Sequence, residues 1–219
     1  MPAKLRADRV VPDSLNHVVL RGNNRRNLFS YSKDRVQFLY YLLRATKATQ
    51  CRVHALALMT NHIHLLITPP SIAALSDCVR SCAHRYAMHR NREREGSGKL
   101  FEARFDSKPV CDDAYAAVVT AYIDLNAERA GLGARLTPWT THAFHVGWPL
   151  ETRIPEVLWT PSDWYLSLAS DRAGRAEQYR AWVERYRAHR DELDEAHRLP
   201  AVGTRYTKRL ERPSRERAA

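Results

Sequence analysis

The sequence predicts an α+β protein: a ferredoxin-like antiparallel sheet with helices on one face, followed by a helical, Arg-rich extension. Three observations predict it. Apolar runs at 53–59 and 62–68 are separated by Thr60-Asn61 alone, which makes them an antiparallel hairpin. Apolar side chains fall at helical spacing before that hairpin, at 34–47, and after it, at 71–89. A strand-like run on each flank and one more helical stretch complete the order strand–helix–strand–strand–helix–strand–helix.

Taken in order, the first strand is the partly β-branched run 15–20. Arg21-Gly22-Asn23-Asn24-Arg25-Arg26 follows; Gly and paired Asn mark a loop whose Arg side chains point cations at whatever it faces. The first helix carries Val36, Leu39, Tyr40 and Leu43 at helical spacing, and Asp34 near its start favours the macrodipole. Pro69-Pro70 stops the hairpin, and Ser71 is a candidate N-cap for a helix through Leu75, Val79, Cys82 and Tyr86. The charged stretch 91–99, with Gly96 and Gly98, is expected to be a mobile loop. Segment 100–110, with Phe101 and Phe105, is expected to be the fourth strand. Asp112 or Asp113 then caps a helix with Ala116, Val119, Tyr122 and Ile123 on its apolar positions, ending before Gly131. Beyond Leu132 the pattern changes: Trp139, Trp148, Trp159 and Trp164 mark anchoring segments, and 172–190 is an Arg-rich helix.

Composition limits the function classes. The chain has 219 residues, enough for one domain with additions and for a real core without staples. Its 35 basic side chains, 29 of them Arg, outnumber 24 acidic ones, for a net charge of +11. A guanidinium grips phosphate through a planar fork, so the bias suits a partner with a phosphate backbone. No apolar run reaches the roughly 18 residues of a spanning helix, so no membrane partner is expected. Residues 1–12 are polar and basic, unlike a secretory signal. Cys51, Cys78, Cys82 and Cys111 are too irregular for a disulfide framework or a zinc pattern, and reduced thiols in a cytoplasm are expected. No period recurs, which excludes repeat arrays.

Two constellations bear chemistry. In His62-Ile63-His64, residues two apart on a strand share a face, so both imidazoles project together: half of a metal site. In Tyr122-Ile123-Asp124-Leu125-Asn126, residues four apart on a helix stack, bringing a phenol beside an amide. The phenol is a candidate nucleophile and the amide a candidate third ligand. Ligand softness alone leans toward zinc or another transition metal.

The stretch His54-Ala-Leu-Ala-Leu-Met-Thr-Asn-His-Ile-His-Leu-Leu-Ile-Thr-Pro resembles the central strand pair of the HUH single-strand transposases, and most nearly the REP-associated tyrosine transposases of the IS200-like family. Three more segments agree in order: His17-Val-Val-Leu-Arg-Gly-Asn-Asn-Arg, Gly98-Lys-Leu-Phe-Glu-Ala-Arg-Phe and Tyr122-Ile-Asp-Leu-Asn-Ala-Glu-Arg-Ala-Gly-Leu. The resemblance implies a metal-dependent enzyme that breaks and joins single-stranded DNA, often beside a hairpin. It implies His62, His64 and Asn126 as ligands of Mg or Mn, and Tyr122 as the nucleophile that forms a 5′-phosphotyrosine. Thr60 stands where the family usually has Pro, and Ala127-Glu128 where it usually has Pro-Val, which bears on turn geometry.

Expected DNA contacts are Arg21, Asn23, Arg25 and Arg26 of the first loop, Arg80 and Arg85 of the second helix, and Arg104, with Phe29 or Phe101 stacking on extruded bases. His17, His54 and Glu102 are positional candidates for a general base. The expected division is a catalytic domain at 1–135, a DNA-contacting helical extension at 136–202 and a disordered basic tail at 203–219. Monomer and homodimer both stay open. The alternatives are a relative that binds DNA without turning over, and a metal phosphodiesterase that uses water.

Overall fold

The computed structural model describes residues 10–102, 105–147 and 150–198. Arg104, Trp148 and the tail 203–219 lie outside the described residues. Four strands, β1 (Asn16–Arg21), β2 (Arg52–Leu58), β3 (His62–Thr68) and β4 (Asp106–Pro109), form one sheet in the order β2-β3-β1-β4. Each neighbouring pair is antiparallel, as a ferredoxin-like sandwich requires. The hairpin turns over Thr60-Asn61, closed by Met59 N–H donating to the His62 carbonyl at 3.0 Å.

The crossover helices are α1 (Ser32–Thr49) and α2 (Ile72–Glu93). Ser71 caps α2 by accepting from Ala74 N–H at 3.0 Å. Asp34 holds the entry to α1, accepting from the N–H groups of Ser30 at 2.7 Å and Tyr31 at 2.9 Å. Alternation along the strands sorts the sheet into two faces. Val18, Leu20, Ile63, Leu65 and Ile67 are buried on the face covered by α1 and α2. His17, Val19, Arg21, His62, His64 and Leu66 point the other way, where α3 (Asp113–Asp124) crosses β2 and β3. Ala55 and Ala57 pair with Leu66 and His64 there, and small side chains let the helix approach.

Three local expectations change. The fourth strand spans only Asp106–Pro109, because residues 100–102 are held by the first loop instead: Asn23 N–H donates to the Leu100 carbonyl and Glu102 N–H to the Arg21 carbonyl, both at 2.9 Å. The charged stretch after His89 stays helical to Glu93, since Arg90 donates to the Asn27 carbonyl at 2.9 Å and Arg94 pairs with Asp34 at 2.6 Å. The last helix breaks at Leu125 (φ −92°, ψ 5°) and resumes as α4 (Asn126–Arg129).

The remaining chain forms α5 (Gly133–Leu136), α6 (His142–Val146), α7 (Asp163–Ser167), α8 (Arg172–Ala188) and α9 (Arg190–Arg198). It also covers the outer edge of β2. Thr141 N–H donates to the Leu56 carbonyl at 3.0 Å and Thr160 N–H to the Val53 carbonyl at 2.8 Å, so that edge is not left open to another strand. Cys51, Cys78 and Cys82 are buried free thiols and Cys111 is exposed. Among the described residues no helix is long and apolar enough to cross a membrane.

Candidate active site

The site lies on the sheet face crossed by α3. Register places His64 opposite Val19 and His62 opposite Arg21, so β1 and β3 raise His17, His62 and His64 on the same side. The rings of His62 and His64 stand perpendicular with centroids 4.9 Å apart. His17 stacks on His64 at 5.1 Å, with His17 Nε2 and His64 Nδ1 hydrogen-bonded at 2.9 Å. From α3, the ring of Tyr122 meets His64 edge-on at 5.4 Å and His17 at 5.9 Å. Asn126, the first residue of α4, places its side chain near enough to His62 to bear on that ring's charge. The break at Leu125 does not remove Asn126 from the site; it starts a new short helix whose first side chain still lies near His62.

All three imidazoles are held neutral. Burial pushes His17 down to about 4, helped by the charges of Lys108 and Arg21. Burial does the same to His62, also to about 4, with Arg21 adding and the nearby Asn126 amide opposing. His64 lies well below the ordinary range through burial, then the neighbouring His17 and His62, then Arg21 and Arg129. A neutral imidazole keeps a lone pair, which is what a metal ligand needs. His62 Nδ1–H donates to Asn61 Oδ1 at 2.8 Å, which makes Nε2 the unprotonated nitrogen of the neutral ring. Among the described residues no group of three His, Cys, Asp or Glu side chains is arranged to hold a metal ion. Beside His62 the Asn126 amide is the candidate third donor. The donor set fits a divalent ion with open positions.

The segment 11–126 matches the family model described as Transposase IS200 like. The chain belongs to the IS200-like transposase family. No curated protein sequence matches this one. Among solved structures, the transposase is similar to a REP-associated tyrosine transposase bound to a REP hairpin, at 12% identity and a TM-score of 0.51, covering 69% of this chain and 88% of that one. It is also similar to a proposed transposase from Deinococcus radiodurans R1, at 15% identity and a TM-score of 0.39, covering 56% of this chain and 93% of that one. The first likeness speaks to the fold, which is shared.

The transposase brings some of the expected residues together and leaves others apart. Arg21 is at the site, where its charge is felt by all three imidazoles. Asn23, Arg25 and Arg26 stand in the adjoining loop, a short 3-10 turn in which Asn24 and Arg25 take left-handed conformations. Arg25 and Arg26 are exposed, and Arg26 donates to the Lys99 carbonyl at 3.3 Å. Arg80 and Arg85 lie on α2, over the opposite face of the sheet, and do not join the imidazoles; Arg80 pairs instead with Asp77 at 2.8 Å. Phe29 is sealed in the core against Phe38 and Tyr86 and offers no stacking surface, whereas Phe101 is only partly buried.

Of the three base candidates, His54 is structural: buried, donating from Nδ1 to the Thr160 carbonyl at 2.9 Å and bonded through Nε2 to Thr68 Oγ1 at 3.0 Å. Glu102 is exposed, and only His17 enters the site. Sequence reasoning missed one neighbour of Tyr122. The Arg129 guanidinium lies 4.8 Å from the ring centroid. Its signal was the spacing of Tyr122, Asn126 and Arg129, four and then three residues apart along one helical face.

Proposed function

We propose that this transposase cleaves and rejoins single-stranded DNA at hairpin-bearing sites through a covalent bond to Tyr122, with His62, His64 and Asn126 holding Mg or Mn. The observation that supports it most is the meeting of Tyr122 with the neutral imidazole pair across α3 and β3, with centroids 5.4 Å apart at His64. Hairpin DNA is the substrate class because the solved relative was bound to a REP hairpin.

A divalent ion held there supplies Lewis-acid polarisation of the scissile phosphate and alignment for in-line attack. The chain's own groups do the rest. The Tyr122 phenol oxygen attacks phosphorus; the new oxygen–phosphorus bond forms as the bond to the 3′ oxygen breaks, and that oxygen leaves as a 3′-hydroxyl after gaining a proton. The phenol gives up its own proton in the same exchange, so charge balances and no nucleotide cofactor is consumed. A phosphotyrosine keeps the diester's bond energy, and a 3′-hydroxyl from another strand reverses the step. Arg21 beside the imidazoles, and Arg25 and Arg26 in the adjoining loop, offer cations for the backbone phosphates.

The test is a gel assay with 3′-labelled single strands carrying a hairpin and randomised flanks, in Mn or Mg. An SDS-resistant adduct, absent in Tyr122→Phe and abolished by chelation, supports the reading. Binding without an adduct means a DNA-binding relative without turnover, and cleavage without an adduct means hydrolysis by water.

A further inference from the structure

The helix that carries Tyr122 is gripped from the far end of the chain. Trp182 Nε1–H of α8 donates to the Ala117 carbonyl of α3 at 3.0 Å, and the Tyr179 hydroxyl donates to Asp124 Oδ2 at 2.8 Å. Arg187 pairs with Glu128 of α4 at 2.7 Å. These contacts bracket Tyr122 along the helix axis.

The tightest contact is a closed triangle. Arg129 pairs with Asp194 of α9 at 2.5 Å and donates to the Tyr186 hydroxyl of α8 at 3.1 Å, while that hydroxyl donates to Asp194 Oδ1 at 2.7 Å. The side chains of Arg129 and Asp194 are 20% and 6% exposed, and Tyr186 is fully buried. By contrast, the Arg80–Asp77 pair on α2 lies in solvent, its side chains 78% and 57% exposed. Burial, then the bond to Asp194, pushes the Tyr186 phenol up, so it stays a donor to the carboxylate. Charge-assisted bonds in a dry setting fix geometry as well as adding energy. The two terminal guanidinium nitrogens are thus engaged by α8 and α9 while the central carbon stays over the Tyr122 ring. A cation held over a ring face restricts the ring's orientation.

We propose that Arg129 is a positioning residue for Tyr122, and that Asp194 and Tyr186 hold Arg129 for that task, so strand cleavage depends on the C-terminal helices. This rests on Tyr122 being the nucleophile. No residue of α8 or α9 is among the proposed metal donors; the Arg129 guanidinium carries their hold to the Tyr122 ring.

The experiment is single-turnover adduct formation by the full-length protein in Mn, on 3′-labelled hairpin strands with randomised flanks, for wild type, Tyr122→Phe, Arg129→Lys, Asp194→Asn and Tyr186→Phe. DNA affinity is measured alongside by anisotropy. A positioning role lowers the rate constant at saturating DNA and leaves the burst amplitude full; a merely structural role lowers the amplitude and leaves the rate constant of the folded remainder unchanged. Asp194→Asn is expected to slow adduct formation by roughly tenfold or more, with affinity kept within about twofold. Tyr186→Phe removes one hydroxyl and leaves the core filled, so it covers the case in which Asp194→Asn does not fold; it is expected to slow the step by a few-fold. Arg129→Lys keeps the charge without the fork and is expected to be slowed at full amplitude. Unchanged rate constants in the Asp194 and Tyr186 variants, with wild type forming adduct and Tyr122→Phe forming none, overturn this inference alone. An adduct in Tyr122→Phe, or none in wild type, overturns the nucleophile assignment and this inference with it.

Discussion

His17 and His64 are hydrogen-bonded ring to ring, Nε2 to Nδ1 at 2.9 Å, across neighbouring strands. Only one arrangement of that proton serves a ligand. If His64 donates from Nδ1, its Nε2 is a lone pair facing away from His17; if His17 donates, His64 carries its proton on Nε2 and cannot bind. Under the proposed metal assignment His17 therefore serves His64 by accepting. His17→Ala is expected to weaken Mn binding by about 10- to 100-fold, the usual cost of losing such a partner. His17→Gln, whose amide oxygen can accept the same proton, is expected to recover most of it. Titration calorimetry with Mn reads this directly; equal affinity in His17→Ala would remove His17 from the metal site.

Gly22 links β1 to the cationic loop. A Cβ there would sit 2.1 Å from the Arg26 carbonyl oxygen, with no flexible side chain to give way. Gly22 N–H also donates to the Asn61 carbonyl at 2.8 Å, tying the loop to the turn before His62. Gly22→Ala must therefore open the loop, and about 1–3 kcal/mol of stability is expected to be lost, as in other overpacked sites. DNA affinity is expected to fall further than stability explains, because Arg25 and Arg26 leave their places beside the site. Chemical denaturation and anisotropy on the same preparation separate the two effects.

Much of this site is legible from local periodicity. His62 and His64 share a face because strands repeat every two residues, and the hairpin is legible from two residues between two apolar runs. The hydroxyl–amide spacing of Tyr122 and Asn126 is equally local. What escapes is whatever depends on distant pairing. Nothing near Phe29 says that Phe38 and Tyr86 will close over it, and nothing near Leu100 says that the Gly22 loop will take its backbone bonds. The register that lifts His17 beside His64 is likewise set by the β1–β3 ladder, not by the sequence around position 17. Arg129 sat inside a recognised motif, yet its partners Tyr186 and Asp194 are 57 and 65 residues further on.

Association with DNA is expected to be strongly salt-dependent. The net charge of +11 and the exposed Arg25 and Arg26 of the loop after β1 make phosphate neutralisation the main sequence-independent attraction. Affinity for a hairpin strand is expected to fall by about a hundredfold or more between about 50 and 200 mM salt. Changing Arg25 and Arg26 together to Gln is expected to reduce the logarithmic salt slope by about one to two. Arg80→Gln, on the opposite face, is expected to leave the slope unchanged. A slope insensitive to Arg25 and Arg26 would place the DNA path elsewhere.

Acid is expected to weaken the α1–α2 end of the fold through Asp34. Burial pushes its carboxyl up, but the N–H groups of Tyr31 and Ser30 and the Arg94 guanidinium together outweigh this and hold it below the ordinary value. A depressed folded pKa contributes stability that is fully present above the unfolded value of about 4 and is lost as pH falls through the folded one. At pH 7 Asp34→Asn is expected to cost about 1 kcal/mol, the scale of a lost cap. The gap between wild type and Asp34→Asn is expected to narrow on going to about pH 3, where the native carboxylate loses its advantage. Denaturation at both pH values checks this, and a gap that widens in acid would contradict it.

Asp124 is the residue on which the Tyr122 helix and the C-terminal half converge. Its side chain has no exposure and accepts from Thr141 Oγ1 at 2.9 Å, His145 Nδ1 at 2.8 Å and the Tyr179 hydroxyl at 2.8 Å, with His142 Nδ1 at 3.4 Å. Burial opposes the charge, but His145 and His142 outweigh it and keep the carboxylate ionised. Asp124→Asn preserves shape while replacing one acceptor oxygen by an N–H donor aimed at groups that themselves donate. Breaking a buried network from one side leaves the others unsatisfied, so a loss of about 3 kcal/mol or more is expected, with melting lowered by roughly 6–12 °C. Asp124→Ala is expected to be no better, since it leaves the same donors stranded around a cavity. Thr141→Val removes a single contact and is expected to cost about 1 kcal/mol. The ordering matters more than the magnitudes. If Asp124→Asn melts like wild type while Thr141→Val does not, the carboxylate is not what joins the two halves, and the grip of α8 on α3 must come from the Trp182–Ala117 contact instead.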